Sequence, residues 1–491
     1  LTSEIRENTG EFAPLGPHGP IFTALGRRAE HPIVRVVALV FAFASLCHLW
    51  LLDAAHPDWY PANAIYLAGL LALCWPRHIG NAAGWLLSAV GVGIPLFFHR
   101  DPLTQSMILL FFSTSAGGSL LISNLLHLRK RDAQAGASWL ILRVFQGITV
   151  CTYLLAALHK LNREFFAPDY SCAVYGVDKL FNYWHLNLAL LPAGWRGLAP
   201  WSVLVGELGI ALLYLVGKRR WAWAWAVVFH IPLTLTMAPA FAFVMFAGHA
   251  AFLRPADLAH LRRTLQRNLL PTLIGATALT AASLWMHRAL PEWTMIPREW
   301  LLWAMLITLV GALLSPSAQT DSEVAPCEKP SRWLRALTAC IVGLFLLNGL
   351  TPYLGVQYQH AGAMVSGLRV DKGCWNSLVF PESVRLRDDY IRVDAVYFHT
   401  PGHLPEYEKK VRTTLWSPPQ LRQMRRNWCR EDLRPLYLSG TFHARRFEID
   451  DLCADTPLPF GDAGAFGVEL FGGYLRFQKN LKRACPQTCI H

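Results

Sequence analysis

A lysine, a glutamate and a histidine sit where water is scarce. Lys160 closes the apolar run YLLAALHK (153–160), Glu207 lies inside VLVGELGIALLYLVG (203–217), and His230 follows Phe229 in the next apolar run. A lysine so placed has two readings. It is an anchor, with its stem in lipid and its ammonium at the interface. Or it is a base: burial disfavours the charged form, and a neutral amine can take a proton from a weakly acidic apolar molecule such as a hydroquinone. Glu207 is either a hydrogen-bond partner for another helix or a group held near Lys160, because a carboxylate inside a membrane faces a partner or a cavity. His230 is expected to bond within the bundle, to Glu207. His249 is too distant in sequence to share one helical face with it, and no third ligand accompanies them, so no metal is predicted. His99, in PLFFHRDPLT, reads as a titratable group at a helix end.

The elements that must position these groups are membrane helices. Of the 491 residues, 53% are hydrophobic and only 16% charged, against about 25% charged in soluble domains. A helix needs about 20 mostly apolar residues to cross a bilayer. Candidate spans are 33–52, 60–75, 80–98, 104–126, 138–159, 198–216, 221–236, 238–253, 269–287, 300–315 and 333–350. The first follows a polar tail and reads as an uncleaved span. Pro232 and Pro239 interrupt the 229–250 region, and a broken helix at membrane depth suits a cavity wall.

The formal charge of +12 points to basic loops on a membrane face rather than to nucleic acid. Arg27–Arg28, Arg77, Arg129–Lys130–Arg131, Lys218–Arg219–Arg220 and Arg262–Arg263 recur at alternate loops, while 53–61 carries no such cluster. The positive-inside rule then puts the N-terminal tail (1–32) in the cytoplasm of an inner or plasma membrane. It puts 160–197 and the C-terminal part on the far side. Residues 174–192 are amphipathic and aromatic, as an interfacial or re-entrant lid is. Asn162, Tyr175, Trp184 and His185 fall near that outer mouth. They read as lid or substrate contacts, or as the aromatic belt of a membrane interface.

From Thr351 the pattern changes. RLRDDYIRVDAVYFH (385–399) alternates like a strand, 466–478 is β-like, and 404–428 has helical stretches. The expected architecture is a polytopic α-helical membrane bundle of about 9–11 spans (33–350) followed by a β-rich or α+β extracytoplasmic domain (351–491). The segment 316–332 reads as a cytoplasmic linker. Cys172, Cys374, Cys429, Cys453, Cys485 and Cys489 lie in the polar parts, where an oxidising compartment permits disulfides. Cys47, Cys74, Cys151 and Cys340 lie in apolar runs, as small packing residues do. Trp375 and Asn376 are placed to pack against the membrane part.

The run Tyr153-Leu-Leu-Ala-Ala-Leu-His-Lys160-Leu-Asn resembles the Y-x-x-A-G-x-x-K-L-[DN] stretch of the vitamin K-dependent γ-carboxylase family. It resembles more closely the bacterial branch, the horizontally transferred transmembrane proteins. Glu207, Phe229-His230 and LNGLTPYLGVQYQHAGAMVSGLRVDKGCWNSLVFP (347–381) agree with that resemblance, while Ala157 replaces a common glycine and His159 stands beside the lysine. The resemblance implies a membrane enzyme in which Lys160 deprotonates reduced vitamin K or a related hydroquinone. Oxygen and carbon dioxide are then co-substrates, and the product is a carboxylated glutamate on a peptide arriving from the external side. It further implies that Glu207 and His230 hold the cofactor and that His99 steadies charge near the glutamate. The alternative is a non-catalytic member that binds a lipid or quinone, or assists maturation of or immunity to a secreted peptide. A fold does not fix a reaction.

Overall fold

Apolar runs become helices up to Leu350 because a chain in lipid has no water for its backbone and must satisfy each N–H and C=O within the segment. The computed structural model describes residues 32–55, 60–74, 78–94, 96, 105–127, 133–183, 187–236, 239–289, 331–356, 358, 361–363, 365–386, 388, 390–398, 404–430, 435–454, 458–460 and 481–489. The helices are α1 (Pro32–Ala55), α2 (Tyr60–Cys74), α3 (His78–Ile94), α4 (Gln105–His127), α5 (Ala133–Lys160), α6 (Arg163–Phe166), α7 (Cys172–Tyr183), α8 (Trp195–Leu215), α9 (Arg219–Thr236), α10 (Pro239–Ala250), α11 (Pro255–Ala289) and α12 (Arg332–Leu350). Among the described residues, five helices hold a stretch long and apolar enough to cross a bilayer. These stretches are Pro32–Leu49, Gln105–Ile122, Gly136–Lys160, Trp195–Leu215 and Arg332–Leu350. Shorter apolar helices cover Asn63–Cys74, Ala82–Ile94 and Phe241–Ala250. The expected span at 269–287 is instead part of the single 35-residue helix α11, which begins at Pro255 and contains Pro271. The expected span 300–315, the strand-like 466–478 and most of the linker 316–332 lie outside the described residues.

The bundle core is aromatic at its centre. Phe112 and Phe145 stack with centroids 4.0 Å apart, and Trp85 meets Phe41 at 4.5 Å. Three of its hydroxyls are satisfied locally: Ser113, Thr149 and Thr152 each donate to the carbonyl four residues back, which hides a polar group in an apolar wall. Two close approaches set the direction of α12. Gly147 lies against Val342, and a side chain at Gly349 would collide with Leu155. Both residue numbers rise together, so α5 and α12 run parallel and end at the same face, at Lys160 and Leu350. The α8 helix runs the other way against α5.

That shared end carries the rest of the chain. A seam joins the residues after Lys160 to the stretch after α12. Leu378 N–H donates to Leu161 O at 2.9 Å, Arg163 N–H to Asn376 O at 3.0 Å, and Asn162 bridges to Ser377. Asn376, expected to pack against the membrane part, does so. Arg369 is fully buried and grips Asp371 with both ends of its guanidinium, at 3.0 and 2.8 Å. It also donates to the carbonyls of Lys482 and Ala484. Disulfides Cys172–Cys489 and Cys374–Cys485 fasten the same seam.

Beyond it, four strands form an open antiparallel sheet in the order β2 (Leu415–Trp416), β1 (Ile391–Phe398), β3 (Pro435–Phe442), β4 (Arg445–Ile449). Helices α13 (Leu404–Thr413) and α14 (Pro418–Arg430) supply Val411, Leu421 and Trp428 to its core. Ile391 and Val393 face that core, and then the alternation slips, so that Val396 is the next buried residue. A register shift between Val393 and Ala395 accounts for the slip, because one extra residue in a strand exchanges its two faces. Cys429–Cys453 closes this unit. Cys172, Cys374, Cys429, Cys453, Cys485 and Cys489 are thus paired, and Cys47, Cys74, Cys151 and Cys340 of the apolar runs take no part in these disulfides. The whole is a polytopic helical bundle followed by a mixed α/β region.

Candidate functional site

Helix α5 delivers Lys160 on its last turn, and the antiparallel α8 delivers Glu207 from its middle. Lys160 Nζ donates to Glu207 Oε1 at 2.7 Å, with the two side chains only 5% and 8% exposed. The same ammonium lies 3.4 Å from Ala156 O and 6.0 Å from the Phe165 ring centroid. Glu207 Oε2 is buried and has no hydrogen-bond partner among the described residues. A buried carboxylate oxygen without a donor is costly, and it is the natural acceptor for a hydroxyl brought in by a ligand. The outward face of α8 beside it is apolar and exposed, at Leu198, Trp201 and Val205, as a lipid-facing surface is.

Two turns deeper the same helices hold a second polar group. Tyr153 precedes Lys160 by seven residues and Tyr214 follows Glu207 by seven, about 10 Å along each axis. Tyr153 Oη lies 2.6 Å from His230 Nε2 and 2.8 Å from His249 Nε2, and His249 Nδ1 lies 2.6 Å from Tyr214 Oη. A neutral imidazole donates from one nitrogen and accepts at the other, so this chain of hydrogen bonds runs in a single sense from end to end. His249 is also fixed by its own carbonyl, which accepts from Trp223 Nε1 at 3.0 Å.

His230 was expected to meet Glu207, and this is corrected: it turns to Tyr153, while Glu207 is taken by Lys160. The two histidines do converge, His230 from α9 and His249 from α10, but no group of three or more His, Cys, Asp or Glu side chains able to hold a metal occurs among the described residues. Asn162, expected at the mouth, is fully buried. Its amide donates to His159 O and Ser366 O and its oxygen caps Phe165 N–H, so it shapes the turn after α5. Tyr175 is half-buried on α7 with Lys179 Nζ 4.8 Å from its ring centroid. His99, Trp184 and His185 lie outside the described residues. Tyr153, Tyr214 and His249 escaped sequence reasoning as site residues. The seven-residue spacing to Lys160 and to Glu207 was the available signal.

Comparison with protein-family models, with curated proteins and with solved structures gives no match to this chain. Its function therefore rests on the geometry.

Glu164 lies just beyond the pair, 7% exposed, with Oε2 unpartnered among the described residues. Burial pushes its carboxyl above the usual 4.5, opposed mainly by the charge of Arg369. The unfolded chain therefore ionises first, and stability falls as pH rises above about 4.5 until the folded carboxyl ionises too. Glu164→Gln removes that loss. Its midpoint of thermal unfolding is expected to exceed that of the unaltered protein at about pH 7 and to match it at about pH 4, read by unfolding of the detergent-solubilised protein.

Proposed function

We propose that this protein is a membrane enzyme of the γ-carboxylase type, in which Lys160 is the base for a reduced quinone such as reduced vitamin K. The observation that carries the reading is the buried Lys160–Glu207 contact with the second carboxylate oxygen left without a donor. A proton moved across 2.7 Å from Nζ to Oε1 leaves a neutral amine beside a neutral acid, the form a base requires. Lys160 then accepts a hydroxyl proton, and Glu207 orients the amine and offers Oε2 to a second polar group.

The donor set fits a hydroquinone. One amine, one open carboxylate oxygen and the Phe165 ring stand behind an apolar surface facing lipid, which suits a flat head group with an isoprenoid tail. When bound, the reduced quinone would supply, with oxygen, the strong base that takes the γ-proton from a peptide glutamate before carbon dioxide adds. His230 and Tyr153 support the helix faces from below rather than touching that head group.

Three disulfides at this end of the bundle support placing it in an oxidising compartment. The basic residues Lys218, Arg219 and Arg220 follow the far end of α8, which agrees with a cytoplasmic opposite face.

The test is the purified protein in lipid nanodiscs with reduced vitamin K, bicarbonate and a glutamate-containing peptide. Epoxide is expected from the unaltered protein and not from Lys160→Ala. Absence of epoxide in both overturns the proposal. The second reading, a non-catalytic membrane component, draws on the direct closure of Lys160 onto Glu207, which a purely architectural pair would also make.

A further inference from the structure

A pocket of 620 Å³ opens in the C-terminal region, lined among others by Lys372, Arg385, Leu386, Asp388, Arg392 and His443. Three cations face one carboxylate there. Arg385 has an 11% exposed side chain; it donates to Val370 O at 3.4 Å and pairs with Glu382 at 3.0 Å, on the exposed side. Arg392 reaches Asp388 Oδ2 only at 3.7 Å, and Asp388 Oδ1 is buried with no partner among the described residues. Lys372 is exposed. Thr441 sits opposite Arg392 across the β1–β3 pairing and adds a hydroxyl to the lining. His443 and Ala444 make the β3–β4 turn with φ of 49° and 61°, a left-handed path that non-glycine residues rarely take.

The position of this pocket identifies what it faces. Leu386 N–H donates to Leu354 O at 3.0 Å, and Leu354 follows the end of the spanning helix α12 by four residues. The mouth therefore stands at the membrane boundary, and Leu386 is 73% exposed on its rim. An exposed leucine beside clustered cations is poor design for water and good design for the border between head groups and acyl chains. Guanidinium groups match phosphate oxygens in fork geometry, and anionic lipid surfaces attract juxtamembrane cations.

We propose that this pocket binds the phosphate of an anionic phospholipid headgroup, with Leu386 against its acyl chains. The site is independent of any chemistry at Lys160.

The test is native mass spectrometry of the full chain from nanodiscs of phosphatidylglycerol or of phosphatidylcholine, with inorganic phosphate as competitor. Retained phosphatidylglycerol, little phosphatidylcholine and no displacement by phosphate are expected. Lys372→Ala and Arg392→Ala should each weaken retention about fivefold. Asp388→Asn, which removes the one carboxylate, should strengthen it. Lys372 is exposed, so Lys372→Ala keeps the test valid if Arg392→Ala fails to fold. Equal retention of both lipids, displacement by phosphate alone, or retention unchanged in Lys372→Ala with Asp388→Asn overturns the proposal.

Discussion

Lys160→Ala is expected to destabilise the bundle by about 3–5 kcal/mol, because it strands a buried carboxylate without its cation. Glu207 already has one unpartnered oxygen, and the substitution leaves the second without the 2.7 Å contact. The apolar double variant Lys160→Met with Glu207→Leu removes both charges, and such replacements are neutral or stabilising by about 1–4 kcal/mol. Unfolding of the solubilised proteins by heat should therefore rank the single variant lowest and return the double variant to the unaltered value or above. The ranking separates two roles that one substitution confounds. If the pair serves chemistry, the double variant folds and forms no epoxide. A double variant as unstable as the single one would show that the carboxylate was not stranded and that the pair is not the buried contact described here.

Tyr153→Phe is expected to cost about 1–3 kcal/mol for each buried nitrogen it leaves without this hydroxyl, and it affects two, on His230 and His249. Tyr214→Phe removes a single partner, from His249 Nδ1, so it should cost about half as much. The order of the two variants in thermal unfolding checks the argument. Equal losses would mean that the hydroxyl of Tyr153 does not join the two imidazoles. Because Tyr153 and Lys160 share one face of α5, Tyr153→Phe also tests whether the lower polar group holds the upper one in place. A positional role predicts that lipid conditions restoring its stability also restore epoxide formation.

Much of the membrane part was legible because hydrophobic run length reports directly on burial in lipid. Lys160 and Glu207 stood out for the same reason: each is a charge in an apolar run, and a charge there must find a partner. Their mutual contact was one of the readings left open. The partner of His230 was not legible, since helical periodicity gives the face a residue occupies but not which neighbouring helix it meets. The His230–Tyr153–His249–Tyr214 chain draws on four helices. The expected span 269–287 covers only part of helix α11, whose first turns are polar, because composition marks the apolar portion of a helix rather than its ends. The place of Asn162 after the last apolar residue predicts a position at the mouth. Its burial follows from Ser366 and Asn376, contributed by a stretch about two hundred residues later. In the strand at 391–398 the alternation was visible, and the bulge that interrupts it was not.

The three disulfides span 24, 111 and 317 residues of sequence. During translation, at about 5–20 residues per second, the thiol of Cys172 must wait roughly a quarter of a minute to a minute for Cys489 to be made. Cys429 meets Cys453 almost at once. Cys374, Cys429, Cys453 and Cys485 all emerge while Cys172 is still waiting, and each is a wrong partner. The covalent lock between the bundle and the C-terminal tail is thus the last whose second thiol is made, and it has the longest interval in which mispaired thiols must be exchanged.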